Sequence, residues 1–193
     1  MVALLTMKPI SFSPTSWGAY RGAILAGVVL FPAMVCTASA TPISAQDVNG
    51  HPVAVNGKGH YTVVMYTNPD LEDESREVTL ALDPYRSRSD FALVRVVDLR
   101  GDVPADMRVM VRVQIREEQV KEAKRLKKAG VDVSGNEAPI IPDFSGSTLD
   151  ALGWNSVYDQ VHLVVYDPSG HEIKRMENIS SAAQVTKVVD SIL

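Results

Sequence analysis

Thiols are nearly absent from this chain: Cys36 is the one cysteine among 193 residues. A lone thiol excludes an intrachain disulfide, a Cys-x-x-Cys redox pair and a thiolate metal centre. A basic surplus is missing as well, since 19 Lys and Arg stand against 23 Asp and Glu for a formal net charge of -4. That balance argues against a nucleic-acid binder, whose affinity rests on clustered cations. The sequence contains no Gly-x-Ser-x-Gly elbow, no phosphate-binding P-loop and no dinucleotide-binding glycine pattern. The acyl- and phosphoryl-transfer chemistries that those motifs carry are therefore unsupported. Repeats and low-complexity tracts are lacking too.

The longest apolar stretch lies near the N-terminus. Arg21 precedes the uncharged run Gly22 to Phe31, which stays apolar to about Val35. Such a core is shorter than the ~20 residues that span a bilayer and has the length of a signal-peptide core. Ala38-Ser39-Ala40 then places small residues where a signal peptidase needs them. The expectation is a signal peptide over 1–40, cleavage after Ala40, export to the periplasm or beyond, no membrane span afterwards, and a domain over 41–193. Two other readings stay open: an uncleaved anchor, and lipidation at Cys36, although Val35 is bulky for the residue before a lipoprotein cysteine. Cleavage after Ala40 would leave a mature chain without any cysteine.

From there strands and helices alternate. Pro52 to Val55 is a short strand candidate, and Tyr61 to Tyr66 is apolar without period, as in a strand covered on both faces. Asn68-Pro69 reads as a helix cap followed by proline at the first helical position, with Asp70, Glu72, Asp73 and Glu74 at the positive end of the dipole. That helix is expected to end near Leu82, before Pro84. Phe91 to Asp98 is the next strand, and a helix is expected from about Ala105 to Lys128, although the alternation through 107–115 also fits a strand. Pro139 to Asp143 is a short strand, Ser147 or Thr148 opens a short helix, and Val161 to Tyr166 is a strand. Asp167-Pro168-Ser169-Gly170 is a turn leading to the hairpin partner Glu172 to Met176, and a helix from Ser180 or Ser181 carries Val185, Val188, Val189 and Ile192 on one face. The order implies an α/β fold, a mixed central sheet with helices on both sides.

With Pro142-Asp143, Leu149 to Trp154 and Val164 to Gly170 in that order, the chain resembles the thioredoxin-like superfamily of the redoxin and TlpA type. Through Val96-Val97-Asp98, the Asp167 to Gly170 turn and the terminal helix it is most similar to the cysteine-free periplasmic YtfJ family. The resemblance implies a thioredoxin-like mixed sheet flanked by helices. It also implies that the positions of a redoxin cysteine pair fall at Leu71 and Glu74, and that Val161-His162-Leu163 stands where a redoxin has its cis-proline. Thiol–disulfide exchange requires sulfur attacking sulfur. Neither dithiol–disulfide exchange nor peroxidase activity is therefore expected, and no catalytic residue or cofactor is assigned. The implied role is a non-catalytic module that binds a protein or peptide around Asn68, Leu71, Glu74 and His162.

The alternative is a metal-dependent protein using the acidic cluster Asp70, Glu72, Asp73, Glu74 and Glu77, where Asp73 and Glu77 share a helix face. The helix dipole accounts for those acids without a metal, so no metal ligand is assigned. The basic run Arg116, Lys121, Lys124, Arg125, Lys127 and Lys128 reads as a solvated helix face with pairs such as Glu117–Lys121. His162 reads as a strand residue with one polar partner, able to approach His171 across the hairpin. Trp154 and Tyr158 read as residues at the edge of the core.

Overall fold

A computed structural model describes residues 41–193 apart from 102, 134–136 and 157. The expected leader, its cleavage point after Ala40 and Cys36 lie outside the described residues. The elements are β1 (Ser44–Gln46), β2 (Pro52–Ala54), β3 (Tyr61–Thr67), α1 (Glu72–Leu82), β4 (Phe91–Asp98) and α2 (Arg108–Lys128). They continue with β5 (Ile140–Asp143), α3 (Ser147–Ala151), β6 (His162–Tyr166), β7 (Glu172–Met176) and α4 (Ala182–Ile192). Short 3-10 turns, Pro69–Leu71 and Asp83–Tyr85, bracket α1.

Five strands form one sheet in the order β5-β4-β3-β6-β7. β3 runs parallel to β4 and β4 parallel to β5, whereas β6 is antiparallel to β3 and β7 to β6. β3 lies at the centre, and six of its seven residues are buried. The absence of a period in Tyr61 to Tyr66 thus has its expected cause, because a central strand under helices has no solvent face. Val63, Val64, Leu82, Leu93, Ile141, Leu149, Leu163 and Val185 are part of one continuous core.

Sequence and structure part company at two places in the fold. β1 was not expected, and it pairs with β2 as a hairpin of its own. Its three residues are too few to show a period, and side-chain bonds to backbone add to its pairing with β2 and the packing of Ala45 on the core. Asp47 accepts from the N–H groups of Asn49 and His51 at 2.8 Å each, and Asn56 accepts from Ile43 N–H at 2.7 Å. Val48 N–H then reaches Ile140 C=O at 2.8 Å, which sets the hairpin turn beside the edge strand β5.

The second concerns the surface of α2. Residues 108–115 are helix, as expected, so the alternation there does not make a strand. Nor is its basic run simply a solvated face. Arg116 donates to Val48 C=O at 3.1 Å, Gln119 to Ala138 C=O at 3.2 Å, and Arg125 forks onto Asp83 at 2.6 and 3.0 Å. Lys121 pairs with Glu118 at 2.6 Å rather than with Glu117. Leu126 is the one fully buried residue among those described in this helix, while Val109, Met110 and Val113 face solvent. α2 is thus fastened to the body largely through polar contacts, a pattern that a search for an apolar stripe does not detect.

Candidate functional site

Parallel strands deliver their carboxyl ends to one edge of a sheet, and in open α/β folds ligands gather there. Here that edge carries Asn68 just after β3, Asp98 at the end of β4 and Asp143 at the end of β5, with Asp98 and Asp143 register partners. All three are buried polar residues. Each must find partners, since an unpaired buried polar group costs about 1–3 kcal/mol.

Asn68 does so as a helix cap. Its Oδ1 accepts from Asp70 N–H at 3.0 Å and Leu71 N–H at 3.1 Å. Its Nδ2 donates to Tyr158 C=O at 2.9 Å, tying the start of the α1 region to the chain ahead of β6. Asp143 holds the other helix entry: its two oxygens accept from the N–H groups of Gly146 and Thr148 at 2.8 Å, Leu149 at 3.0 Å and Ser145 at 3.2 Å.

Asp98 grips Arg100 through Nε at 2.9 Å and Nη2 at 2.7 Å, and the same guanidinium donates to Ser156 C=O at 2.9 Å. Burial opposes the carboxylate's charge, yet the Arg100 bonds outweigh it and hold Asp98 below the usual carboxylate range. Arg100 lies against Gly146, whose φ is +84°, and a Cβ at that position would collide with the Arg100 side chain. Glycine is thus required there twice over, for its backbone angle and for its lack of a side chain.

Tyr66 joins these groups. Its hydroxyl donates to Asp98 Oδ2 at 3.3 Å, accepts from Tyr158 N–H at 3.0 Å and accepts from Asn68 Nδ2 at 3.4 Å. Burial is the main cause that raises its phenol above the ordinary value. Around its ring stand Trp154 at 5.8 Å, Tyr158 at 5.3 Å and His162 at 5.7 Å, all edge-on.

The four expected binding residues separate into three kinds. Asn68 and His162 meet at the Tyr66–Tyr158 pair. Leu71 is buried in the core and faces no ligand, while Glu74 is exposed on the first turn of α1. His162 corrects its expectation. It lies in β6 as expected, but neither ring nitrogen has a hydrogen-bond partner, and its neighbours are aromatic rings. His171 lies at the opposite end of the β6–β7 hairpin, where it joins the Asp167 turn through Ser169 at 2.7 Å. Trp154 is buried to 1 % exposure, deeper than a residue at the core edge. Tyr66, Asp98, Arg100 and Asp143 were not named as site residues from the sequence, although Asp98 and Asp143 close motifs that carry the resemblance. An aspartate closing an apolar run, as in Val96-Val97-Asp98 and Ile141-Pro142-Asp143, was the available signal.

The acids Asp70, Glu72, Asp73, Glu74 and Glu77 are all exposed. Among the described residues, no three or more His, Cys, Asp or Glu side chains are placed to hold a metal ion. A second buried polar cluster lies between the sheet and α2, where Glu122 bridges Arg86 and Arg95, the latter at 2.5 Å. Burial, together with the charge of Arg86, lowers the Arg95 guanidinium against the pull of Glu122.

A mixed sheet with a parallel β3–β4–β5 half, an antiparallel β6–β7 hairpin and flanking helices defines the thioredoxin-like fold, and comparison with solved structures agrees. StoA from Bacillus subtilis superposes with a TM-score of 0.51 at 11% identity, over 77% of this chain and 96% of that one. The exposed lipoprotein thioredoxin Etrx1 from Streptococcus pneumoniae gives 0.52 at 14% identity, over 78% and 99%. A thiol-disulfide oxidoreductase from Bacteroides fragilis gives 0.50 at 16%, over 80% and 99%. At these identities the likeness is one of fold. No family model matches the chain, and no curated protein matches it in sequence.

Proposed function

We propose that this chain is an exported, non-catalytic thioredoxin-like module that binds a protein or peptide partner at the α1 entry and the segment before β6. One observation carries the reading. The two positions matched to a redoxin cysteine pair hold a buried leucine, Leu71, and an exposed glutamate, Glu74. Neither can attack a disulfide, because the reaction needs a thiolate at one position and a resolving thiol at the other. What remains around them is a polar framework whose bonds run within the chain, as suits a rigid surface. Exposed carboxylates at Asp70, Glu72, Asp73 and Glu74 would favour a basic partner segment.

Export is supported by the leader pattern and by the pneumococcal neighbour being named an exposed lipoprotein. The likeness to the YtfJ family belongs to the same reading.

Leu71 is buried, so replacing it would test folding. The informative variant is Asp70→Arg with Glu74→Arg, both at exposed positions. Cross-linking and capture from the exported fraction is expected to recover a partner with the natural chain and to lose at least ~10-fold of it with the variant, the equivalent of ~1.4 kcal/mol. Equal recovery removes this surface from consideration. Intact mass of the same exported material reads whether the chain begins at Thr41.

A further inference from the structure

We propose that Tyr158 is a pH-operated cover: a proton taken up by His162 unseats Tyr158 and releases residues 158–160 from the start of the α1 region. The geometry has three parts. His162 is only 2 % exposed, and neither Nδ1 nor Nε2 has a hydrogen-bond partner. A buried group so placed is uncommon, and its ring N–H forgoes a bond that water would supply. The Tyr158 ring lies over the imidazole at 4.2 Å between centroids, while Tyr66 meets it edge-on at 5.7 Å. Tyr158 itself is held by two backbone bonds, its N–H to Tyr66 Oη at 3.0 Å and its C=O from Asn68 Nδ2 at 2.9 Å. Gln160 in the same segment also has a buried Oε1 without a partner, so the closed position leaves polar atoms unsatisfied at two residues.

The surrounding charges give the movement a direction. Arg175 from β7 disfavours an imidazolium, and Asp159 and Glu177 favour one. Both of these carboxylates belong to exposed residues. Within the site, Tyr66 donates its hydroxyl to Asp98, and Asp98 is already gripped by Arg100. A proton arriving from solvent converts His162 to a cation with two N–H donors and no acceptor behind Tyr158. Water, Asp159 and Glu177 offer acceptors on the exposed side, which the ring reaches once Tyr158 moves. Both bonds of Tyr158 are made by its backbone, so the movement is one of residues 158–160 as a segment, and it breaks the bonds to Tyr66 and Asn68 together. Asn68 Nδ2 and the turn that it caps are thereby uncovered. The binding role of the uncovered surface rests on the reading above, whereas the movement of Tyr158 does not.

The test is NMR of the full chain with labelled histidine, tyrosine and asparagine, titrated from neutral to acid pH. An unstructured histidine peptide in the same buffer is the reference. His162 is expected to titrate below that peptide, as burial dictates. The Tyr158 and Asn68 signals should shift with the His162 midpoint while the amides of β3 and β4 stay in place. In His162→Phe that shift should vanish. In Tyr158→Ala, which keeps the imidazole, the His162 midpoint should rise toward that of the peptide. Co-titration of His162 with the peptide in the natural chain overturns the inference. So does a Tyr158 shift that persists in His162→Phe, or a midpoint left unmoved by Tyr158→Ala. An acid release of Tyr158 with no partner captured at any pH upholds this inference and removes the binding reading alone.

Discussion

At the scale of single residues, the structure spends its hydrogen bonds unevenly. Tyr66 uses one oxygen for three partners, and His162 beside it has none. The Tyr66 hydroxyl makes a direct prediction. In Tyr66→Phe the ring and its edge contacts with Trp154, Tyr158 and His162 survive, but Tyr158 N–H loses its acceptor and Asp98 one donor. Leaving one such donor unmet costs about 1–3 kcal/mol. Chemical denaturation is expected to show a loss in that range with an unchanged m-value, because the surface exposed on unfolding is the same. A loss under ~0.5 kcal/mol, the level of an ordinary surface change, would mean that water takes over the oxygen's role.

At the scale of elements, α2 is the informative case. Its inward face is Arg112, Arg116, Gln119, Glu122 and Arg125, with Leu126 as the buried apolar anchor. Glu122 is the fastening, since Arg86 at 4 % and Arg95 at 16 % side-chain exposure both turn to it. Removing one partner of a buried ion pair leaves a charge in low dielectric and typically costs about 3–5 kcal/mol. Glu122→Ala should therefore destabilise by several times more than Glu118→Ala, whose pair with Lys121 is exposed. Hydrogen exchange should show α2 losing protection ahead of the central strands, and similar protection in both variants would refute the fastening. This element also marks what a sequence can reveal. β3, β4, β6, the Asn68 cap and the Asp167 turn were legible, because propensity, period and turn chemistry all agreed. β1 was not, because three residues are too few to show a period and side-chain bonds to backbone from Asp47 and Asn56 help to hold it. The inward turn of Arg116, Glu122 and Arg125 was hidden for a related reason. Charges on a helix carry the same letters whether they face water or a buried counter-charge 36 residues distant in sequence, as Glu122 and Arg86 are. At the candidate site, Asn68 could be named from its helix-cap signal and His162 from the redoxin resemblance, but Tyr66 could not. Its role depends on two strands and two connecting segments meeting at one hydroxyl.

For the whole molecule, the buried ionisable groups set a stability profile with a definite sign. Asp98 is held below its ordinary value, so it contributes stability above ~3.9 that is lost as pH falls through its folded value. His162 is lowered first by burial, with Arg175 adding to that effect against Glu177 and Asp159. As a base with a depressed value it contributes fully above ~6.5, and that contribution drains away as pH falls toward its folded value. The slope from each group cannot exceed about 1.4 kcal/mol per pH unit. Tyr66 and Tyr85 act at the other end: burial raises both, and Tyr85, bonded to Asp190 at 2.5 Å, is pushed up to about 12. Their contribution is present below ~10 and declines as pH climbs through the folded values. Denaturation across the pH range should accordingly give a plateau from about 7 to 10 with a shoulder on its acid side. His162→Phe should erase the shoulder between the folded value and ~6.5 and leave the steeper fall below ~4, whereas Asp98→Asn should soften only that lower fall. If Tyr158 opens as proposed, the shoulder also stops early, because an opened site lets the imidazole titrate as it would in water and the linkage ends there. A flat profile between pH 5 and 7 in the natural chain would show that His162 pays no penalty for its charge, and the closed aromatic cluster would lose its physical basis.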